Sequence, residues 1–138
     1  MAVFTELELA YLREQRLGRL ATVQPDGVVQ NNPVGFAYNE ALDTIDIGGH
    51  NMDTSRKFRN VAAGSTVSLV VDDIVSLDPW NIRCLEIRGA AEALTETTDA
   101  QGRVLGPTIR IRPRRILSFN VDPGNPAAGQ RTVAPEQL

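Results

Sequence analysis

The sequence predicts a small, mainly β protein, a six-stranded antiparallel barrel with two helices. Two observations support this fold class. Short stretches in which apolar and polar residues alternate recur along the chain, and turn residues (Gly, Pro, Asn and Asp) separate them. The length of 138 residues allows one such domain with a tail.

The first helix is predicted at residues 5–16. Thr5 is a good N-cap, and Glu8 stands three residues later, which is the spacing of a capping box. Leu9 and Leu12 give the helix an apolar stripe, and Gly18 is a plausible stop.

A β-hairpin is predicted to follow. Its strands are Leu17–Val23 and Val28–Tyr38, and Pro25, Asp26 and Gly27 supply the turn between them. A third strand, Thr44–Gly48, alternates two isoleucines with polar residues.

A short second helix is predicted at Asp53–Ala63, between strands 3 and 4. Asp53 or Thr54 is expected to cap it, and Gly64 to end it. Its apolar positions, which we expect to face inward, are Phe58, Val61 and Ala62.

Three more strands complete the predicted barrel: Thr66–Leu77, Leu85–Leu94 and Thr108–Val121. Pro113 lies within the last strand, which implies an edge position or a bulge. From residue 122 the chain is rich in Pro and Gly and poor in large apolar groups. We therefore expect a domain at 1–121 and a flexible tail at 122–138.

Composition excludes several classes of function. The net charge of −3 argues against nucleic-acid binding by bulk positive charge. A single cysteine, Cys84, and a single histidine, His50, exclude an internal disulfide and a Cys/His metal site. We find no membrane-spanning segment, and Glu6 and Glu8 interrupt any signal peptide, so we expect a cytoplasmic protein.

Few side chains are available for amino-acid catalysis. The chain has one His, one Cys and one Lys, and it lacks Gly-x-Gly-x-x-Gly, P-loop and Gly-x-Ser-x-Gly motifs. If the protein is an enzyme, we expect a bound cofactor to carry the reaction.

The most informative stretch runs from Gly48 to Asn60. It brings Ser55, Arg56 and Lys57 into the first turn of the second helix, where free N–H groups favour an anion. Lys57 is the only lysine among 14 basic residues. The pattern fits a phosphate site, and a solvated basic surface remains the alternative.

Each of three other stretches of the sequence has two possible interpretations. The amides in Gln30–Val34 suit the edge of a heteroaromatic ring or an edge strand facing water. Trp80 suits stacking on a ligand or closing the barrel. The arginines in Arg110–Arg115 suit nucleic-acid binding or a solvated strand edge.

Together these stretches resemble the pyridoxamine 5′-phosphate oxidase-like family, the FMN-binding split barrels, over about residues 4–121. Within this family, the amino-acid sequence most resembles the branch that depends on the deazaflavin coenzyme F420. The stretches that carry the resemblance are Leu17–Val23, Asn32–Phe36, Ile47–Asn51 and Ser55–Lys57.

The resemblance implies a set of cofactor contacts. Arg56 and Lys57 would bind the phosphate, with Ser55 beside them. Cys84 stands where the oxidases have a glutamine that touches the flavin from the partner subunit. The remaining implied contacts are Gln30, Asn31, Asn32, Pro33 and Val34 in the second strand and His50 and Asn51 after the third.

The resemblance also implies a function and an assembly. We expect a homodimeric oxidoreductase that uses reduced coenzyme F420 to transfer hydride to a small organic acceptor. Arg59 or the arginines at 110–115 would suit the acidic tail of that cofactor, and His50 is the candidate general acid by elimination. Oxidation of pyridoxamine phosphate is disfavoured because no histidine follows residue 50.

Three alternatives remain. An FMN-dependent oxidoreductase would have the same fold. A non-catalytic flavin- or haem-binding module would bind its cofactor without turnover. An OB-like nucleic-acid binder would use the arginine strand, but the acidic charge and seven aromatic residues argue against it.

Overall fold

A computed structural model of the protein describes residues 2–99, 101–127 and 129–133. The helices are α1, Glu6–Glu14, and α2, Arg56–Ala62, and a 3₁₀ turn at Met52–Thr54 precedes α2. The strands are β1 Gly18–Val23, β2 Val29–Val34, β3 Ala37–Asn39, β4 Thr44–Ile47, β5 Val67–Leu77, β6 Trp80–Leu94, β7 Thr97–Thr98, β8 Val104–Leu105, β9 Thr108–Phe119 and β10 Gly129–Thr132.

The main sheet is antiparallel, with the strand order β2-β1-β5-β6-β9-β4-β3, and β10 adds to β9. Strands β2 and β3 lie at opposite ends of this order, although only Gly35 and Phe36 separate them in the chain. Three residue steps span at most about 11 Å. The sheet must therefore curl until its ends meet, and the predicted barrel is confirmed as a mainly β, antiparallel fold.

Branched aliphatic side chains fill the barrel interior along β1, β5, β6 and β9. Leu20, Leu69, Ile87 and Ile116 are partners in one cross-strand row and are all buried. Such a row forms because side chains at alternate positions point to the same face of a sheet. At these positions, the apolar residues of the alternating pattern in β5 and β6 face the barrel interior.

Helix α1 begins as the sequence predicts, with Thr5 as N-cap and a complete capping box to Glu8. Helix α2 begins later than predicted. Ser55 is its N-cap, because its hydroxyl accepts the Phe58 N–H, while Asp53 and Thr54 belong to the 3₁₀ turn.

The other predictions for α2 are confirmed, except for one residue. Phe58 and Val61 are buried as predicted, whereas Ala62 is exposed. Gly64 follows the helix with a φ of 106°, which is the stop that the sequence predicts.

The strand count differs from the predicted six. The predicted strand Val28–Tyr38 is divided into β2 and β3 by Gly35 and Phe36. Strand β6 begins at Trp80 rather than Leu85, because it pairs with β5 almost to the turn between them. Strands β7, β8 and β10 are short elements that the sequence pattern does not indicate.

Pro113 lies at a bulge in β9, one of the two predicted alternatives. Arg88 pairs with Arg115, but the next residue, Gly89, pairs with Pro113, so Arg114 is the extra residue. A Cβ on Gly89 would lie 2.2 Å from the Arg112 carbonyl oxygen. Only glycine fits this close approach without a shift of the backbone.

Part of the predicted flexible tail forms β10. It pairs with β9, and Arg131 donates to both carboxylate oxygens of Glu8 at 2.6 Å and to the Val3 carbonyl at 2.7 Å. These polar contacts hold β10 against α1. Residues 128 and 134–138 of the predicted tail lie outside the described residues. Within the described ranges, no helix is long and apolar enough to cross a membrane.

Candidate functional site

Strand β2 presents alternating faces at one end of the sheet order. Gln30 pairs with Thr22, and Asn32 pairs with Leu20. Because directly opposed side chains share a face and Thr22 and Leu20 are buried, the Gln30 and Asn32 side chains face inward. Asn31 lies opposite Ala21 on the outer face of the sheet, together with Pro33. The remaining member of the predicted stretch, Val34, is buried in the core.

The inward amides carry acceptors that no described residue satisfies. Gln30 Oε1, Asn32 Oδ1 and Asn60 Oδ1 are buried and have no hydrogen-bond partner among residues 2–99, 101–127 and 129–133. An unsatisfied buried acceptor costs about 1–3 kcal/mol. This region is therefore suited to a ligand or water that donates hydrogen bonds.

Asn60 joins α2 to the β1–β2 hairpin. It is 1% exposed, and its Nδ2 donates to the Thr22 hydroxyl at 2.9 Å. Lys57 and Arg56 precede Asn60 by three and four residues, which places all three on one face of α2. The two cations therefore lie on the side of α2 that faces the hairpin.

The electrostatics of the hairpin turn agree with this placement. The pKa of Asp26, in the turn after β1, is lowered chiefly by the Val28 backbone N–H and further by the Gln24 side chain and the nearby charge of Arg56. Within the described part of the chain, Arg56, Lys57 and Arg59 form no ion pair. Their charge is therefore available to an anion.

Ser55 shapes the start of α2. Its hydroxyl donates to the Met52 carbonyl at 2.6 Å and accepts the Phe58 N–H at 3.3 Å. Because the single hydroxyl proton is already used, Ser55 would have to release Met52 in order to donate to a phosphate.

His50 and Asn51 lie in the loop between β4 and the 3₁₀ turn, and both are exposed. Asn51 adopts a left-handed conformation with φ of 54°, which starts the turn into α2. His50 forms no side-chain hydrogen bond or ion pair with a described residue. The loop thus leads directly into the segment that carries the cations.

Cys84 is not brought together with the amides of β2. It lies on β6 between Asp72 and Phe119, on the outer face of the sheet. Burial raises the pKa of its thiol, and the charges of Asp72 and Glu86 raise it further. The thiol is therefore neutral at pH 7.

The arginine strand differs from its solvated-edge interpretation, and the structure excludes one of the two interpretations of Trp80. Arg110 is buried and donates to Asp46 at 2.9 and 3.0 Å, and Arg112 donates to Glu92 at 2.9 Å. These arginines are engaged by carboxylates rather than solvated along an edge. Trp80 is 65% exposed and does not close the barrel.

Sequence reasoning missed Asn60 and Thr22. The available signal was an asparagine between the inward-facing Phe58 and Val61, three residues after the lysine. A polar residue in such a position requires a partner. The sequence could not indicate that this partner is Thr22, 38 positions earlier.

The antiparallel barrel, with a cation-bearing short helix packed beside its first hairpin, defines the split-barrel class of cofactor-binding proteins. The sequence model of the pyridoxamine 5′-phosphate oxidase family matches residues 4–122. The chain belongs to this family.

Known relatives agree with this assignment. The chain is 44% identical over 120 residues to a 5a,11a-dehydrotetracycline/5a,11a-dehydrooxytetracycline reductase of Streptomyces rimosus, covering 86% of this chain and 84% of the relative. Its fold is similar to that of a haem-binding protein from Mycobacterium smegmatis (TM-score 0.68, 16% identity, 96% of this chain and 58% of that one). It is also similar to that of an FAD-binding protein from the same organism (TM-score 0.59, 16% identity, 94% and 97%).

Proposed function

We propose that the protein is an oxidoreductase that uses reduced coenzyme F420 to deliver hydride to a small organic acceptor. The observation that carries the proposal is the pairing of unbalanced cations on α2 with unsatisfied amide oxygens on β2. The 44% identity to a reductase supports the reaction class.

The residues present fit a deazaflavin. Lys57 and Arg56 would hold its phosphate, because neither side chain forms an ion pair with a described carboxylate. Gln30 and Asn32 would accept hydrogen bonds from the N–H edge of its ring, since their oxygens are buried without partners. When bound, the reduced cofactor supplies the hydride.

The other residues of the site bind and orient the cofactor or move a proton. Asn60 fixes α2 against Thr22 and so holds the cations at a constant position relative to the hairpin. His50 is the only imidazole in the sequence, and we propose that it acts as the general acid, donating to the acceptor the proton that the acceptor takes up together with the hydride. No nucleophile is needed, which agrees with the neutral thiol of Cys84.

A homodimer forms part of the proposal. Large apolar side chains are exposed together at the turn end of the β5–β6 hairpin: Ile74 at 54%, Val75 at 50%, Leu77 at 75% and Trp80 at 65%. Exposed apolar groups on this scale indicate a contact surface. A second copy that covers them should bury more than about 1,000 Å². In such a dimer, the outer-face Cys84 could approach the cofactor of the partner subunit.

The acceptor we propose is an unsaturated polycyclic compound, because the name of the reductase relative describes a dehydrotetracycline as its substrate. An FMN-dependent oxidoreductase is the second candidate. It is favoured by the family match to pyridoxamine 5′-phosphate oxidase, and it would use the same cations and amides.

The test is a parallel titration of the purified protein with coenzyme F420 and with FMN, followed by mixing of each reduced complex with 5a,11a-dehydrotetracycline. We expect tighter binding of coenzyme F420 and oxidation of the bound cofactor by the acceptor. Tight binding of FMN with turnover would instead establish the second candidate. Binding without turnover across a panel of unsaturated polycyclic acceptors would indicate a non-catalytic cofactor-binding module.

A further inference from the structure

A cavity of about 400 Å³ lies between the end of α1 and the corner at which the chain passes from β2 to β3. Leu12, Arg13 and Arg16 line it on the side of α1, and Gly35 and Phe36 line it at the corner. None of these residues is an implied cofactor contact, and none lies on the outer sheet face that carries Cys84. The volume falls within the range of about 300–1,000 Å³ that is typical of small-molecule sites.

Strand β2 connects this cavity with the proposed cofactor site. The first part of β2 lies beside α2, because Gln30 pairs with Thr22, the residue that anchors α2. Asn32 follows, and Gly35 lines the cavity three residue steps later, at most about 11 Å away. The order along the strand is therefore the cations of α2, then the amides, then the cavity. A ring held by the amides would have the cavity beside it.

Two arginines in the cavity wall form no ion pair within the described part of the chain, Arg13 and Arg16. Both are exposed. Glu14 lies between them in the chain, but its Oε1 accepts a hydrogen bond from Arg83 at 3.3 Å. The dipole of α1 accounts for a cation in its last turn, where Arg13 lies, but Arg16 lies two residues beyond the helix.

Contacts on its other side anchor α1 beside the cavity. The Tyr11 hydroxyl donates to Asp73 at 2.7 Å, and the Arg83 guanidinium lies 4.8 Å from the centre of the Tyr11 ring. These contacts join one side of α1 to the β5–β6 hairpin. Because each helical residue is turned by about 100° from the one before it, Arg13 points to the side roughly opposite Tyr11. That side borders the cavity.

We propose that this cavity is the acceptor site of the reductase, and that Arg13 and Arg16 select acceptors that carry a planar anionic group, an ionised enol or a carboxylate. Guanidinium groups bind such groups through paired charge-assisted hydrogen bonds. The apolar body of the acceptor would lie over Leu12 and Phe36. The inference rests on the proposed reductase function and names its substrate class. It applies equally to a deazaflavin and to FMN.

The test uses two matched tricyclic probes, the carboxylate and the carboxamide of anthraquinone, which differ in charge but hardly in shape. Each is titrated by calorimetry into the whole protein, alone and with saturating oxidised coenzyme F420 or FMN. We expect the carboxylate to bind about tenfold or more tightly than the carboxamide. Arg13→Gln and Arg16→Gln should each weaken carboxylate binding about tenfold and leave carboxamide binding unchanged.

Two further variants separate the shape of the cavity from its charge. A Cβ at Gly35 would meet no atom within 4 Å, so Gly35→Leu should fold and place its side chain in the cavity, which should weaken the binding of both probes. Arg112→Gln removes a charge that is paired with Glu92 elsewhere in the fold, so the binding of neither probe should change.

Thermal unfolding checks that each variant folds, and Arg16→Gln decides the outcome if Arg13→Gln unfolds. The proposal is overturned if neither probe binds, if both bind equally, or if a folded arginine variant binds the carboxylate as tightly as the parent. Failure of the proposed function gives a different pattern. Arginine-dependent carboxylate binding without binding of coenzyme F420 or FMN would refute the reductase and confirm the anion-selective cavity.

Discussion

Replacement of Lys57 by Ala separates the contribution of one cation to cofactor binding from its contribution to the fold. Lys57 is the second residue of α2 and forms no ion pair with a described carboxylate. The substitution therefore breaks no described salt bridge, and we expect the free energy of unfolding to change by less than about 0.5 kcal/mol. A charge-assisted hydrogen bond to a phosphate contributes about 1.5–3 kcal/mol. Its loss should raise the Kd for the cofactor about tenfold to a hundredfold.

The assay is fluorescence titration with coenzyme F420 and with FMN, at low and at high salt, together with thermal unfolding of both proteins. Added salt should weaken binding to the parent more than to the Lys57→Ala variant, because the contact is ionic. Arg112→Ala is the matched control, since its partner Glu92 holds it in a half-exposed ion pair. If Lys57→Ala binds both cofactors as tightly as the parent, the phosphate is held elsewhere and the site assignment is wrong.

Three further predictions concern the framework of the protein. Asn60→Ala should destabilise the fold by about 1–3 kcal/mol in denaturant unfolding, because Thr22 loses its hydrogen-bond partner. It should also weaken cofactor binding, because α2 loses its anchor to the hairpin. Unchanged cofactor affinity would contradict the positioning role of Asn60. Gly89→Ala should lower the free energy of unfolding by about 1–3 kcal/mol, since the new Cβ would lie 2.2 Å from the Arg112 carbonyl oxygen. An unchanged melting temperature would show that the backbone of the bulge shifts without cost. The Arg83 guanidinium holds the pKa of Asp73 below its usual value. The interaction of Asp73 with Arg83 therefore stabilises the fold fully above the unfolded-state pKa of about 3.9. This stabilisation is lost as pH falls through the lower folded-state pKa. Urea unfolding between about pH 5 and pH 2 should therefore show a smaller acid loss for Asp73→Asn than for the parent, and equal losses would refute this linkage.

Features with local causes could be predicted from the sequence. The capping box of Thr5 and Glu8 spans three residues, and the stop at Gly64 depends on one backbone conformation. The alternation that buries Leu85 and Ile87 follows from the pleat of a single strand. In each case the controlling interaction lies within a few residues, so the sequence pattern contains it.

Partners that are distant in the chain could not be predicted in this way. The bond of Asn60 to Thr22 spans 38 positions, and that of Arg110 to Asp46 spans 64. The ion pair of Arg131 with Glu8, which holds β10 against α1, spans 123. Each depends on strand order and register, and no single segment encodes either.

The cation-bearing segment and the amides of β2 could be recognised from residue type and spacing, but their relation to each other could not. Register places Gln30 on the inner face and Asn31 on the outer face, and a shift of one residue would exchange them. The bulge at Arg114 likewise decides which arginines share a face. The sequence by itself determined the elements and the candidate residues. Only the tertiary structure decided which side chains meet, because cross-strand pairing sets the face to which each side chain points.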